Sequence, residues 1–203
     1  MCTAVYIIEK NLKEVLKAVL LFVLINQLHN DNGRYQSVLF KEEKDMTKKD
    51  LFKLILSLII CQLAGFVGSL FTSPSIPTWY AFLNKPSFNP PNWVFSPVWI
   101  SLFVTMGISL FLMWQKTLRN PDVRVALLWF AVQLVLNMLW SIIFFGLKSP
   151  FFAFVEIIFL WIAILIAIIK SFRVSGLAGA LLIPYILWVS FAAVLNFSIW
   201  NLN

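Results

Sequence analysis

Acidic side chains almost disappear from this sequence after residue 50, where only Asp122 and Glu156 remain. Charged residues make up 12% of the chain and hydrophobic residues 61%, whereas soluble domains are usually about 25% charged. This composition excludes an ordinary soluble fold. The formal net charge of +7 would suit a nucleic-acid partner, but basic residues beside apolar segments are more simply explained as signals of membrane topology. We therefore expect a membrane protein and no nucleic-acid partner.

Cysteine and histidine are also scarce. Cys2 and Cys61 are far apart, and the single histidine, His29, precedes the apolar part of the chain. This pattern excludes a disulfide framework, a metal-ligand cluster and a Cys-x-x-Cys-His haem attachment motif. It also excludes a hydrolytic triad in the apolar part, because no histidine there could activate a serine. The sequence thus predicts no metal and no resident cofactor.

Long apolar segments are what the sequence has in abundance. The hydrocarbon core of a bilayer is crossed by roughly 20 helical residues, and five segments approach or exceed this length: residues 54–71, 93–115, 125–145, 151–169 and 177–200. In lipid every backbone amide must be paired within its own segment, so runs of this length are expected to be helices. The predicted fold class is an all-α integral membrane bundle of five transmembrane helices, formed by residues 51–203.

Basic residues are distributed unequally between the two ends of these predicted helices. Only Lys85 and Lys148 fall at one end. The end that holds the N-terminus has ten: Lys41, Lys44, Lys48, Lys49, Lys53, Lys116, Arg119, Arg124, Lys170 and Arg173. This bias predicts a multi-pass protein with a cytoplasmic N-terminus. Short connections and abundant Lys, Asn and Ile favour a bacterial plasma membrane, with the mitochondrial outer membrane as the alternative.

Residues 1–50 form a charged N-terminal extension with eight basic and seven acidic side chains. Apolar residues at helical spacing between Val5 and Val19 predict an amphipathic helix on the membrane surface, because its apolar part is too short to span. The equally weighted alternative is that Met46 begins the natural chain and that residues 1–45 have no assigned function. No secretory signal is expected, since acidic residues precede the apolar run and no small-residue cleavage site follows.

Five of the nine prolines lie between Pro74 and Pro91, in the predicted loop 72–92 between the first two helices. Proline fixes φ and restricts the preceding residue, so this loop is expected to be stiff and not helical. Its large side chains would face water unless they fold back: Trp79, Tyr80, Phe82 and Phe88. They predict a lid over the bundle, and the alternative is an aromatic belt at the membrane interface.

Three predicted helices carry aromatic or polar faces. In the third, helical spacing aligns Trp129, Gln133, Asn137 and Trp140 with Ser141. Polar groups in a bilayer usually face the bundle interior, where they bond to another helix, the commoner case, or to a ligand. The faces on the second and fifth helices are Trp99, Phe103 and Met106, and Tyr185, Trp188, Ala192 and Leu195 or Asn196. Such faces suit the enclosure of a flat apolar molecule better than close helix packing.

Two further features predict contacts between helices. Small residues in the first predicted helix, Ala64, Gly65, Gly68 and Ser69, offer a close-packing edge. Glu156 is the only acidic residue inside the predicted spans. An intramembrane carboxylate is a functional candidate, but we favour a structural bond.

Four strings of residues between positions 50 and 203 resemble a known family. They are Trp79-Tyr80-x-x-Leu83-x-Lys85-Pro86; Asn89-Pro90-Pro91-x-x-Val94-Phe95-x-x-Val98-Trp99; Leu136-Asn137-x-x-Trp140 with Phe144-Phe145-Gly146; and Pro184-Tyr185-x-x-Trp188 with Leu195-Asn196. Together they resemble the tryptophan-rich sensory protein family, also called the translocator protein or peripheral-type benzodiazepine receptor family. The resemblance implies five spanning helices, frequently as a homodimer, around a pocket for porphyrins and, in some members, sterols.

The resemblance also implies which residues bind the ligand. They are Tyr80 and Pro90 on the loop side, Trp99 and Phe103 on the second helix, Asn137, Trp140 and Ser141 on the third, and Trp188 and Ala192 on the fifth. In members that degrade protoporphyrin under light, the tryptophans that match Trp99 and Trp188 are implicated, so these two are the catalytic candidates. Lys85 is the nearest basic candidate for a porphyrin propionate, and Glu156 and Trp161 match an acid and an aromatic of the family's fourth helix.

The sequence departs from the family pattern at two places. Phe88 replaces the usual tryptophan of the loop, which keeps a ring but loses the indole N–H. No basic residue follows Arg173, so the C-terminal sterol motif of animal members is absent, and tetrapyrrole becomes the favoured ligand. Such sterol motifs are weak patterns, so their absence does not exclude sterol.

Three classes of function stay open. The favoured one is a membrane receptor or sensor for porphyrin or a similar flat apolar ligand. The second is an enzyme that consumes protoporphyrin with light and oxygen, and the third is a carrier of tetrapyrrole or sterol within or across the membrane. An ion-coupled transporter is the least favoured version, because no chain of ionisable residues runs through the spans.

Overall fold

The computed structural model describes residues 47–203, and the predicted amphipathic helix lies outside these residues. The described elements are α1 (Lys48–Ser75), α2 (Asn92–Trp114), α3 (Pro121–Ser141), α4 (Pro150–Val174), α5 (Gly176–Ala180) and α6 (Ile183–Leu202), with π-helical turns at Ile76–Tyr80 and Ile142–Gly146. Within this part of the chain, five helical segments are long and apolar enough to cross a membrane. The predicted all-α bundle of five membrane helices is confirmed.

Local sequence explains where several helices begin. Asn120 caps α3, because its side-chain Oδ1 accepts a hydrogen bond from the Asp122 backbone N–H at 2.9 Å. Proline follows at the first helical position, Pro121, and Pro150 has the same place in α4. The connections between α2, α3 and α4 are short, so consecutive spans run in opposite directions.

The two ends of the bundle differ in charge, and we name them accordingly. The basic end is where α1, α3 and α5 begin and where α2 and α4 end. Its cations in the described residues are Lys48, Lys49, Lys53, Lys116, Arg119, Arg124, Lys170 and Arg173. The opposite end, which we call the loop end, holds Lys85 and Lys148.

The predicted loop 72–92 is wrong in its first part. α1 continues through Pro74 and passes into the π-helical turn Ile76–Tyr80, and the chain leaves helical conformation only at residue 83. Proline removes one backbone donor and crowds the preceding turn, and a wider π-helical turn relieves this crowding. The Thr78 hydroxyl also donates to the Pro74 carbonyl oxygen at 2.8 Å. The actual connection, residues 83–91, is not helical around its three prolines, as predicted.

The fifth predicted helix is interrupted near its start. The short α5 ends at Ala180, and α6 begins at Ile183 after a turn. Pro184 has no backbone N–H to donate to the carbonyl one turn earlier, which explains the break. The two pieces still form one segment, Gly176–Leu202, that is long enough to span.

Two clusters of buried side chains form the core. The larger one extends from the basic end to the middle of the bundle and contains Cys61, Met106, Ala126, Ile164 and Tyr185. The smaller one lies at the loop end and consists of Tyr80, Phe144, Phe145, Ala153, Leu195 and Ile199. Between these clusters the aromatic faces of α2, α3 and α6 come together.

Candidate functional site

A cavity of about 410 Å³ lies in the loop-end half of the bundle. Its walls come from α1 and its π-helical turn, from α2, from α3 and the turn that follows it, and from α6. Among the described residues, α4 and the loop 83–91 contribute nothing to the wall. Small-molecule pockets typically measure about 300–1,000 Å³, so the cavity is large enough for a ligand.

Stacked aromatic rings form the flat parts of the wall. Trp99 stacks on Phe103 with ring centroids 5.6 Å apart. Trp140 stacks on Phe144 at 5.0 Å with an interplanar angle of 21°. The Trp188 ring meets the Phe95 ring edge-on at 6.1 Å. These six rings line the cavity and brace one another in its wall.

Hydrogen bonds hold the polar side chains of the wall in place. Asn137 Nδ2 donates to the Tyr185 hydroxyl oxygen at 3.0 Å. Trp140 Nε1 donates to Asn196 Oδ1 at 3.0 Å, and Asn196 Nδ2 donates to the Pro150 carbonyl oxygen at 2.8 Å. Asn137 therefore bonds to a neighbouring helix and also lines the cavity, and a contact with a ligand stays a prediction.

The chemistry of the wall is almost entirely uncharged. None of the lining residues in the described part of the chain is Lys, Arg, Asp, Glu or His. The indole Nε1 of Trp188 is buried and has no hydrogen-bond partner among the described residues. An unpaired buried donor is unfavourable, and a hydrogen-bond acceptor on a ligand would satisfy it.

The loop 83–91 closes the loop end of the bundle. The Tyr80 hydroxyl donates to Asn89 Oδ1 at 2.9 Å. The Asn84 backbone N–H donates to Asn203 Oδ1, and Asn203 Nδ2 donates back to the Asn84 carbonyl oxygen, both at 3.0 Å. Phe88 packs edge-on against Phe191 with centroids 6.3 Å apart. The segment thus folds back over the bundle, as the lid prediction requires.

Individual lid residues differ from that prediction. Trp79 and Tyr80 belong to the π-helical turn, and Tyr80 is buried against Phe144 and Phe145. Phe82 is 86% exposed, which fits the alternative of an aromatic side chain at the membrane interface.

Lys85 is engaged outside the cavity. Its Nζ donates to the carbonyl oxygens of Leu83 at 2.9 Å and Ala81 at 3.3 Å. The same nitrogen lies 4.7 Å from the centroid of the Tyr80 ring, a cation–π contact. Lys85 does not line the cavity, so the structure does not bring it to the wall as the candidate partner of a propionate.

The structure brings eight of the nine predicted ligand-binding residues to the cavity wall. They are Tyr80, Trp99, Phe103, Asn137, Trp140, Ser141, Trp188 and Ala192. Pro90 is buried in the loop and does not line the cavity. Ligand binding by these residues, and a catalytic role for Trp99 and Trp188, stay predictions.

The residues singled out on α4 lie away from the cavity. Glu156 is 7% exposed, and both of its carboxylate oxygens have no hydrogen-bond partner among the described residues, so the structural bond favoured for it is absent there. Trp161 Nε1 donates to the Ser190 hydroxyl at 2.9 Å. Gln133 and Trp129 of α3 are also outside the wall.

Sequence reasoning missed the contribution of α1. Its small residues do pack closely, as expected, because a Cβ built on Gly65 would lie 2.5 Å from Phe103 Cε2. The same edge also lines the cavity, together with Thr72, Ser73 and Ile76. Asn92, Phe95 and Ser96 of α2 were missed as well, although their spacing of seven, four and three residues from Trp99 is a helical signal that could have found them.

Comparisons with known proteins agree with the geometry. Residues 57–201 match the profile of the TspO/MBR family. A tryptophan-rich protein TspO of Chlorobaculum tepidum is 44% identical over 155 residues, which cover 76% of this chain and 98% of that protein. The corresponding protein of Archaeoglobus fulgidus is 45% identical over 154 residues, with 76% and 99% covered. The human translocator protein is 37% identical over 142 residues, with 70% and 84% covered.

Proposed function

Because this chain belongs to the TspO/MBR family of multi-pass membrane proteins, we propose that it is a membrane receptor for porphyrins or similar flat tetrapyrroles. The observation that carries the proposal is the cavity of about 410 Å³ whose wall includes Trp99, Trp140 and Trp188. A planar macrocycle offers large apolar faces, and aromatic rings recognise such faces by stacking. The cavity is the ligand-binding site of this proposal.

The uncharged wall determines how a porphyrin would lie. Moving an ionised carboxylate into an apolar site without a partner is very unfavourable, and no cation lines the cavity among the described residues. The propionates must therefore stay where the cavity opens, and the ring enters first. The unpaired Trp188 N–H is the donor best placed for an acceptor on the bound ring.

Light-dependent degradation is the enzymatic form of this proposal. Oxygen would be the oxidant, and the ring of protoporphyrin would be oxidised while it lies against Trp99 and Trp188. Both indoles line the cavity, so either one is positioned to orient the ring or to be oxidised with it.

The test is a titration with protoporphyrin IX in the dark, followed by absorption spectra under illumination. The parent chain is compared with a Trp99→Phe, Trp188→Phe double variant. The matched control is a Trp93→Phe, Trp129→Phe double variant, because neither of these indoles lines the cavity. Saturable binding supports the receptor, and loss of the porphyrin bands that needs Trp99 and Trp188 supports the enzyme. Absence of saturable binding in the parent would refute the receptor.

Trp188→Phe alone separates folding from photochemistry. We expect the variant to fold like the parent, because the substitution nearly keeps the ring volume, while the rate of porphyrin loss under light changes. Unchanged degradation kinetics would remove Trp188 from the active role.

The alternative function is a carrier of sterol or tetrapyrrole. The uncharged wall suits a neutral sterol as well as a porphyrin ring, and several relatives bear the name translocator protein. A carrier moves ligand from donor to acceptor vesicles at a rate that depends on the amount of protein. Transfer at the protein-free rate would remove this alternative.

We also propose a homodimer in a bacterial plasma membrane with a cytoplasmic N-terminus. The topology is supported by the charge difference between the basic end and the loop end of the described residues. Native mass spectrometry tests the dimer, and labelling of single cysteines introduced at Lys148 and Lys116 in intact cells tests the orientation.

A further inference from the structure

The cavity is exposed toward one side of the bundle only. Five of its lining residues have exposed side chains, and all five belong to α1 or α2: Phe66, Ser73, Asn92, Ser96 and Ile100. The lining residues from α3 and α6 are buried or half-buried. The opening therefore lies between α1 and α2, on a surface that faces lipid when the bundle spans a membrane.

Helical spacing turns these residues into two facing edges, which we call the α1–α2 seam. It consists of Phe66, Ser69 and Ser73 on α1 and of Asn92, Ser96 and Ile100 on α2. The α2 edge covers about 12 Å along the helix axis, since a helix rises about 1.5 Å per residue. The seam is polar toward the loop end and apolar toward the middle of the membrane.

The seam is closed toward the basic end. Gln62 Nε2 donates to the Ile100 carbonyl oxygen across the two helices at 3.2 Å. Beyond that bond the helices touch, because a Cβ built on Gly107 would lie 3.0 Å from the Leu58 Cα. The opening therefore ends near Ile100.

The cavity is closed toward the loop end as well. Tyr80 is buried there and is held by its bond to Asn89. The reciprocal bonds between Asn84 and Asn203 fasten the loop 83–91, none of whose residues lines the cavity. A ligand that enters through the side opening between α1 and α2 reaches the cavity without breaking any of these bonds at the loop end.

We infer that the α1–α2 seam is the entrance through which a membrane-dissolved amphiphile reaches the cavity directly from the lipid. The inference rests on the proposed function, because it concerns the ligand of the same cavity. The ligand's apolar body passes between Phe66 and Ile100. Its polar groups follow along the hydroxyl and amide groups of Ser69, Ser73, Asn92 and Ser96, toward the end where lipid headgroups begin. The fitting ligand is apolar over most of its surface and polar at one edge.

Binding kinetics test the entrance. The full chain in phosphatidylcholine vesicles is mixed with protoporphyrin IX, and quenching of tryptophan fluorescence is followed in a stopped-flow instrument. Ser96→Phe narrows the seam. Ser101→Phe is the matched control, because Ser101 is exposed on the same helix and lies outside the cavity wall, and its hydroxyl donates to the Pro97 carbonyl oxygen of that helix.

A blocked path slows entry and exit alike. For Ser96→Phe we expect kon and koff both to fall, with kon lower by at least about tenfold. Ser101→Phe should leave both rates unchanged, and Phe66→Ala should raise both. Unchanged rates in Ser96→Phe would overturn the entrance. A changed Kd at constant kon would also overturn it, because Ser96 would then be a contact of the bound ligand and not part of its path.

A second measurement needs no protoporphyrin. Phosphatidylcholine brominated on its acyl chain quenches the fluorescence of indoles that lipid can reach. The share of this quenching that comes from Trp99 and Trp188 is the difference between the parent and the Trp99→Phe, Trp188→Phe double variant. This share should decrease in Ser96→Phe and stay constant in Ser101→Phe, and equal quenching in both would overturn the entrance. If the parent binds no protoporphyrin, the proposed function fails, and this measurement still decides whether lipid enters at the seam.

Discussion

The two halves of the bundle are similarly apolar but packed in opposite ways. Toward the basic end, small buried residues let the helices touch: Ala126, Ala163, Ala167, Ala178 and Gly107. Toward the loop end, the helices are separated by rings that brace one another, such as Trp99 on Phe103 and Trp140 on Phe144. Hydropathy alone does not distinguish the halves. Side-chain size and shape decide which half packs solidly and which half keeps a cavity.

Their hydrogen bonds differ in the same sense. Near the basic end, the Ser109 hydroxyl donates to the Ala178 carbonyl oxygen at 2.8 Å, so a small side chain joins two backbones directly. In the loop-end half, long side chains bond to one another, as Asn137 does to Tyr185. This bond joins α3 to α6 beside the cavity, which Asn137 also lines.

The same substitution in both halves gives the largest expected contrast. Ala163→Phe inserts a ring into the close-packed half and should lower the free energy of unfolding by about 3 kcal/mol or more. Ala192→Phe inserts the same ring into the cavity, so stability should hold while affinity for protoporphyrin falls by at least about tenfold, or 1.4 kcal/mol. Unfolding in sodium dodecyl sulfate and the dark titration measure the two effects. Equal destabilisation by both substitutions would remove the distinction between the halves.

A second pair tests close packing with a single methyl group. Gly107→Ala places a Cβ 3.0 Å from the Leu58 Cα and 2.9 Å from Leu58 Cδ2, whereas nothing lies within 4 Å of a Cβ on Gly176. We expect Gly107→Ala to cost about 1–3 kcal/mol and Gly176→Ala to change the free energy of unfolding by less than about 0.5 kcal/mol. Thermal unfolding in detergent is the measurement, and a neutral Gly107→Ala would show that α1 can move away from α2.

The bond between Asn137 and Tyr185 sharpens the comparison from the cavity side. A double-mutant cycle with Asn137→Leu and Tyr185→Phe should give a coupling of about 0.6 kcal/mol, with about 1.7 kcal/mol as the upper range for side-chain bonds in membranes. Asn137→Leu should also weaken protoporphyrin binding, because Asn137 lines the cavity. If stability falls while affinity is unchanged, Asn137 serves helix packing alone.

The smallest effect is expected at the loop end. Asn203→Ala removes the two exposed reciprocal bonds to Asn84, which together contribute roughly 1 kcal/mol, so amide exchange in the loop 83–91 should quicken about five- to tenfold. The unfolding midpoint of the bundle should stay constant. Ser198→Ala is the control, since the Ser198 hydroxyl donates to the Val194 carbonyl oxygen within α6. Equal exchange in the two variants would show that Asn203 does not hold the loop.

The membrane helices could be predicted because lipid leaves few choices. Backbone pairing in hydrocarbon requires a helix, and apolar length locates it. The prediction was wrong at Pro74. The helix was expected to end near this proline, but it continues into a π-helical turn. At Pro184 the error was the opposite one. A continuous helix was expected, but the helix breaks before α6 inside an uninterrupted apolar run.

The site was predictable where residues carry a recognisable pattern. Part of each predicted face on α2, α3 and α6 reaches the cavity wall, whereas Met106, Trp129, Gln133 and Tyr185 do not line it. The wall formed by α1 was not predictable, because Gly65 and Ser69 give the same small-residue signal for close packing and for lining a cavity. The presence or absence of a hydrogen-bond partner for Glu156 could not be predicted either. It depends on distances between helices, which a single sequence does not contain.

The π-helical turn Ile76–Tyr80 also has a consequence for changes in chain length. A π-helical turn holds one residue more than the α-helical turn it replaces, and the Ser75 hydroxyl joins it to the second such turn by donating to the Phe145 carbonyl oxygen at 2.9 Å. Deleting one residue among 76–79 would restore regular α-helix and rotate Tyr80 by about 100° around the axis, away from the cavity. A single-codon deletion would thus remove the Tyr80 side chain from the cavity wall without substituting any aromatic residue. In-frame deletions can therefore reshape this site as effectively as substitutions.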